Sequence, residues 1–167
     1  MHRRRVSLAV DERACLPALH GLHVALRFRG DALVGADILD RPVAGTPLSA
    51  AAQESVDLVA RYLEDGKTDL STIPVALEGA SPFDREALLE LRRVRAGQTV
   101  SYGDLARRLG RPPGASRAIG GAMARNPIPV VIPCHRVVQA DGSLGHYSGF
   151  GGAATKLKLL QLEGSRW

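Results

Sequence analysis

Residues 101–125, SYGDLARRLGRPPGASRAIGGAMAR, decide the fold class of this chain, because they read as helix, turn, helix in a basic setting. Ser101 is a good helix cap. Asp104, three positions on, makes an arrangement resembling a capping box, and Leu105, Ala106 and Leu109 supply a buried side. Gly110-Arg111-Pro112-Pro113-Gly114 can only be a turn, and a second helix is predicted from about Ala115 to Arg125. Its residues are small: Ala115, Ser116, Ala118, Gly120, Gly121, Ala122 and Ala124. Small side chains permit close backbone approach, either to another helix or to the floor of a narrow groove in DNA.

Upstream, apolar and polar positions alternate over Leu22 to Phe28 and Leu33 to Leu39, with Arg29-Gly30-Asp31 between, which reads as a hairpin. Ala52, Val56, Val59, Ala60 and Leu63 then follow helical spacing until Asp65-Gly66, and a strand is predicted at Ile73 to Leu77. No chemical motif stands in this half, so its expected role is structural support. A boundary is placed at residues 78–80, separating an N-terminal domain, 1–77, from a C-terminal one, 81–167. Ser81-Pro82 opens a helix carrying Phe83, Ala87, Leu88, Leu91 and Val94, which Gly97 is expected to close. The fold class is α/β in two domains: a small sheet with a helix, then a mostly helical domain with the helix-turn-helix.

Downstream, Asn126-Pro127 stops the second helix, and the largely β-branched run Ile128 to Ile132 reads as a short buried strand or extended segment leading to Cys134. Cys134 is followed by His135 and Arg136, a base and a positive charge, as a nucleophilic thiol requires. An unperturbed thiol ionises at about pH 8.5, so such help is needed near neutrality. Neighbours on an extended segment point to opposite sides, which disfavours a direct Cys134 to His135 bond and favours a water relay. Glu163, distant in sequence, is the candidate to orient His135. A glycine-rich loop, Gly145 to Gly152, and a last helix bearing Leu157, Leu160 and Leu162 complete the chain.

The net charge of +5 is unevenly placed. Nine Lys or Arg stand against eleven Asp or Glu up to Ala80, net −2, and thirteen against six thereafter, net +7. Any polyanion contact is therefore expected in the C-terminal half. Cys15 and Cys134 are too few for a disulfide framework and fit a reducing cytoplasm. The basic start His2-Arg3-Arg4-Arg5 is followed by an apolar run too short for export or for spanning a membrane. Cys15, His20 and His23 do not match structural zinc spacings, so no metal is expected.

Pro133-Cys134-His135-Arg136-Val137, preceded by Asn126-Pro127, resembles the active-site motif of the O6-alkylguanine-DNA alkyltransferases, or methylated-DNA-protein cysteine methyltransferases. Ser101-Tyr102, Arg117-Ala118 before Gly120, Tyr147-Ser148-Gly149, Lys156 and Glu163-Gly164 stand in that family's order over Ser81 to the end. The resemblance implies a ribonuclease-H-like N-terminal domain, a winged-helix-like C-terminal domain, and a cytoplasmic monomer acting on double-stranded DNA containing O6-alkylguanine, less efficiently on O4-alkylthymine, with no cofactor. It implies that Cys134 accepts the alkyl group irreversibly, with His135, Glu163 and Asn126 completing the catalytic set. Tyr102, Met123, Val137, Tyr147, Ser148 and Lys156 would hold the flipped base. Tyr102, Ala115, Ser116, Arg117, Ala118, Gly120 and Arg125 would meet DNA, Arg117 filling the vacated space. Relative to the family, the turn at Pro112-Pro113-Gly114 is one residue longer and the loop after Tyr147, with Phe150, about two. Three competing readings are a lesion-binding relative, disfavoured by Cys134; a methylation-responsive regulator, disfavoured by the lack of a cysteine-rich module; and a cysteine hydrolase, disfavoured by the adjacency of Cys134 and His135.

Overall fold

The computed structural model describes residues 11–167, so the basic start lies outside the described residues. The hairpin forms as β2 (His23–Arg29) and β3 (Ala32–Leu39), joined through Gly30 at positive φ. A strand not anticipated from the sequence, β1 (Glu12–Pro17), pairs antiparallel with β2, giving the order β1-β2-β3. Val24, Leu26 and Phe28 alternate inward on β2, and a register shift at Arg27/Phe28 accommodates β3.

Helix α1 (Ala50–Asp65) supplies Ala52, Val56, Val59 and Tyr62 to the core. Ser49 caps it by accepting from the Ala52 amide, and Gly66 ends it in the left-handed conformation. A Cβ on Gly66 would stand 2.0 Å from the carbonyl oxygen of Leu162, so glycine also permits a close approach to the C-terminal helix. The predicted strand at Ile73 to Leu77 is not formed. One parallel bridge, Leu33 to Val75, remains, because Pro74 has no amide hydrogen to extend a ladder.

Ser81 caps α2 (Pro82–Leu91) through the Asp84 amide. This helix ends at Leu91 and not at Gly97; hydrogen-bonded turns at Glu90–Arg93, Leu91–Val94 and Arg95–Gln98 follow. The helix-turn-helix is α3 (Tyr102–Arg108), capped by Ser101 as expected, and α4 (Ser116–Ala124), preceded by a 3₁₀ turn at Pro113–Ala115. Ile119, Ala122 and Met123 form the buried side of α4, while Arg117, Ala118 and Ala124 are exposed. Two-residue strands β4 (Val100–Ser101) and β5 (Val137–Val138) pair in parallel, which places the start of α3 beside the Cys134 segment. The last helix, α5 (Gly152–Leu162), turns Thr155, Lys156, Leu159 and Leu160 inward.

The segment Ile128 to Ile132 is a compact bend, not a strand. The Ile132 amide donates to the Ile128 carbonyl, and Val130 sits at φ 74, where a β-branched residue is rare. Asn126 stabilises this bend from within, as described below. No helix among the described residues is long and apolar enough to cross a membrane.

Candidate active site

Cys134 opens a 3₁₀ turn, Cys134–Arg136, in place of the expected extended segment. The Cys134 amide donates to Ile132 O and the Arg136 amide to Pro133 O, winding the chain tightly. All three residues of the turn are buried. Cys134 is 6% exposed and lies on a cavity of about 620 Å³. Tyr102, Ser116, Arg117, Gly120 and Met123 from α3 and α4 line one side, and Tyr147 and Ser148 the other. Ala124, Gln139 and His146 also line it, and none of these was anticipated. Of the other expected residues, His135 and Glu163 lie behind the cavity in a buried cluster, Asn126, Val137 and Lys156 brace its wall, and Ala115, Ala118 and Arg125 are not on it.

Behind the cavity, His135 Nε2 lies 2.7 Å from Glu163 Oε1, so a pairing 28 residues apart in sequence is realised. A carboxylate only accepts, so Nε2 carries the proton and Nδ1 is left as the acceptor. Nδ1 is buried and has no partner among the described residues. Burial holds His135 below its ordinary pKa, opposed by Glu163. Burial would by itself raise the Glu163 carboxyl, but bonds from His135 and Arg136 outweigh it and hold the group well below the usual carboxylate range. With His135 neutral, the Arg136 guanidinium is the charge that keeps Glu163 ionised.

Arg136 therefore does not face the thiol, contrary to the expectation that it supplies positive charge to Cys134. Its Nε and Nη2 donate to Glu163 and its Nη1 donates to the Val94 carbonyl at 2.5 Å. The cation that acts on Cys134 is Lys156, fully buried, whose Nζ donates to Val137 O at 2.6 Å and His146 O at 3.2 Å. Burial brings Lys156 down to about 8. Burial also pushes the Cys134 thiol up, and the polar side chain of Asn126 and the charge of Lys156 draw it part of the way back.

Asn126 joins α4 to the bend: its Nδ2 donates to Ile132 O at 2.8 Å, and its Oδ1 accepts from the Ile128 amide at 3.0 Å. Tyr147 is 5% exposed, its hydroxyl buried with no partner among the described residues. Burial raises its pKa, so the phenol keeps its proton. Arg125, expected to meet DNA, makes a two-pronged ion pair with Asp84 on α2, at 2.6 and 2.9 Å, while its side chain stays 61% exposed. Tyr62 of α1 escaped sequence reasoning altogether. It is fully buried and donates to Glu163 Oε1 at 2.6 Å, so the N-terminal half does contribute to the cluster. Its only sequence signal was a polar tip on the apolar stripe Val56, Val59, Tyr62. Among the described residues no group of His, Cys, Asp and Glu is placed to hold a metal ion.

The fold and site define an α/β protein in which a helix-turn-helix lines one side of a cavity carrying a buried cysteine. Residues 82–165 match the family model described as 6-O-methylguanine DNA methyltransferase, DNA binding domain. The chain is 55% identical over 83 residues to the methylated-DNA--protein-cysteine methyltransferase of Mus musculus, covering 49% of this chain and 38% of that protein. It is 43% identical over 108 residues to the namesake of Shigella flexneri, covering 65% and 61%. Its matches thus span between about a third and two thirds of the length of these curated relatives. The crystal structure of Mycobacterium tuberculosis OGT in complex with DNA superposes with a TM-score of 0.71 at 32% identity, covering 85% of this chain and 87% of that one. The chain belongs to the 6-O-methylguanine DNA methyltransferase family.

Proposed function

We propose that this protein reverses DNA alkylation directly, moving the alkyl group of O6-alkylguanine in duplex DNA, and less efficiently that of O4-alkylthymine, onto Cys134 in a single turnover. The observation that carries this reading is one cavity holding both a buried thiol, Cys134, and a phenol with no partner among the described residues, Tyr147, beside α4. A displacement at an alkyl carbon needs this pair: a nucleophile, and a donor where the leaving oxygen gathers charge.

The Cys134 proton passes through a water to His135 Nδ1, and Glu163 stabilises the imidazolium. The thiolate attacks the alkyl carbon; the S–C bond forms as the C–O6 bond breaks, and the electron pair stays on O6, where the Tyr147 hydroxyl donates. The thioether has no easily expelled group, so the protein is consumed. The target base must leave the stack, at a cost of a few kcal/mol that a poorly pairing lesion reduces. Tyr102 and Arg117, on the α3 and α4 side of the cavity, are suited to promote extrusion and fill the gap; Ser116, Ala118 and Gly120 of α4, with Ala115, follow the minor groove. Met123, Ser148 and Val137 hold the base. A structural relative described in complex with DNA supports this.

In this reading the antiparallel sheet with α1 is a ribonuclease-H-like domain ending near residue 77. The segment from residue 81 onward is winged-helix-like. The protein acts as a cytoplasmic monomer without metal or organic cofactor. Intact-protein mass spectrometry after incubation with DNA containing O6-methylguanine tests the reaction. One methyl group per molecule on Cys134, absent in Cys134→Ser, is the expected result; repeated turnover, or transfer by the mutant, would overturn it.

A further inference from the structure

We propose that Tyr62, contributed by the N-terminal helix α1, is a positioning residue for alkyl transfer: its hydroxyl fixes Glu163, and through Glu163 the orientation of His135 toward the thiol. This rests on the alkyl-transfer reading and extends it to a half of the chain with no chemical motif of its own.

The geometry is specific. Glu163 Oε1 accepts from Tyr62 at 2.6 Å, His135 at 2.7 Å and Arg136 at 2.8 Å, while Oε2 accepts from Arg136 and from the Gly97 amide at 3.3 Å. The Tyr62 oxygen stands 3.5 Å from His135 Nε2, so the phenol and imidazole converge on one oxygen. Burying a phenol hydroxyl costs free energy unless it is bonded, and α1 could fill the same space with phenylalanine. Without Tyr62 the carboxylate is free to turn wholly onto the two-pronged Arg136 guanidinium, its stronger partner, and His135 loses the bond that sets its tautomer. Nδ1 would then no longer be held as the acceptor of the Cys134 proton. The charged and titratable groups around this cluster are Tyr62 of α1, Asp69 of the following loop, His135 and Arg136 of the turn, Lys156 of α5, and Glu163 just after it. Burial raises Tyr62 well above its ordinary pKa, so it stays a donor across the working range.

The proton path makes the test selective. At neutral pH the thiol must hand its proton to His135, whereas at high pH it ionises directly into solvent and needs no relay. Tyr62→Phe is therefore expected to slow both methyl transfer from DNA and iodoacetamide alkylation of Cys134 by at least about tenfold at pH 7, part of what a positioned base contributes. Both rates should return toward wild type well above the thiol pKa, and in a Glu163→Gln background Tyr62→Phe should add little further loss. Unchanged rates at pH 7, or an equal loss at every pH, would overturn the proposal, the latter marking Tyr62 as a packing residue. If the wild type alkylates with iodoacetamide but takes no methyl group from DNA, the alkyl-transfer reading fails. The iodoacetamide profile of Tyr62→Phe then still decides whether Tyr62 positions the relay.

Discussion

The side chain of Asn126 is hydrogen-bonded to the carbonyl of Ile132 at 2.8 Å, two residues before Cys134. With its Oδ1 on the Ile128 amide, Asn126 spans the bend in place of a strand ladder. Asn126→Ala would leave the Ile128 amide without its partner and the Ile132 carbonyl with the Cys134 amide alone, and it would remove a side-chain amide that lowers the thiol pKa. We expect a stability loss of about 1–3 kcal/mol by denaturant titration and slower labelling of Cys134 by iodoacetamide at neutral pH. Wild-type labelling would show that the bend holds its shape without Asn126.

The features legible in the sequence were those set by nearest neighbours. Ser81 and Ser101 cap helices in the structure as expected because a cap is a bond three residues long. The small residues of α4 marked a surface of close approach, although not what approaches it. Illegible features depend on distant partners. β1 has weak alternation and exists through its register with β2. Ile128 to Ile132 has the composition of a strand, yet Pro129 and the Asn126 bridge bend it. Arg136 seemed destined for the neighbouring thiol, but Glu163, 27 residues away, is the better bidentate partner. Tyr62 is separated from Glu163 by 101 residues, and its one local mark, a polar tip on an apolar stripe, does not name that partner.

The Glu163 cluster predicts an acid limb of stability. Its folded pKa is depressed, so its contribution is complete above the unfolded value of roughly 4.3 and is lost as pH falls through the lower folded value. Burial depresses His135 as well, so unfolding gains proton uptake once pH drops below roughly 6.5. Glu163→Gln leaves Arg136 buried without its counter-charge, and we expect about 3–5 kcal/mol lost at pH 7. The gap from wild type should narrow toward pH 3, as the unfolded wild-type carboxylate takes up a proton that the folded one does not yet bind. Thermal denaturation across this range measures it; a pH-independent gap would exclude the ionised carboxylate as the cause.

Lys156 sets the alkaline behaviour. Its ammonium, brought down to about 8 by burial, loses charge as pH rises through that value, and with it the field that favours the Cys134 thiolate. Lys156→Met keeps the chain's bulk and removes the field throughout. The pH midpoint of Cys134 labelling should move up, with slower labelling at pH 7. An unchanged midpoint would mean that Lys156 serves only to hold Val137 O and His146 O.

Arg117 separates DNA handling from chemistry. It is exposed on α4 at the cavity's edge, and it enters no ion pair among the described residues, so truncating it should leave the fold intact. A cation there can act in two ways, by neutralising a phosphate or by occupying the space of an extruded base. Neutralising one phosphate would account for roughly 0.9 of the slope of log affinity against log salt; gap filling offsets part of the few kcal/mol of extrusion. Arg117→Ala is accordingly expected to reduce repair of O6-methylguanine in duplex DNA while sparing reaction with free O6-benzylguanine, which needs no extrusion. An unchanged salt slope alongside slow duplex repair would assign Arg117 to the gap, and a shallower slope to the phosphate. Equal losses on both substrates would place Arg117 in the pocket's own support and contradict a role in extrusion.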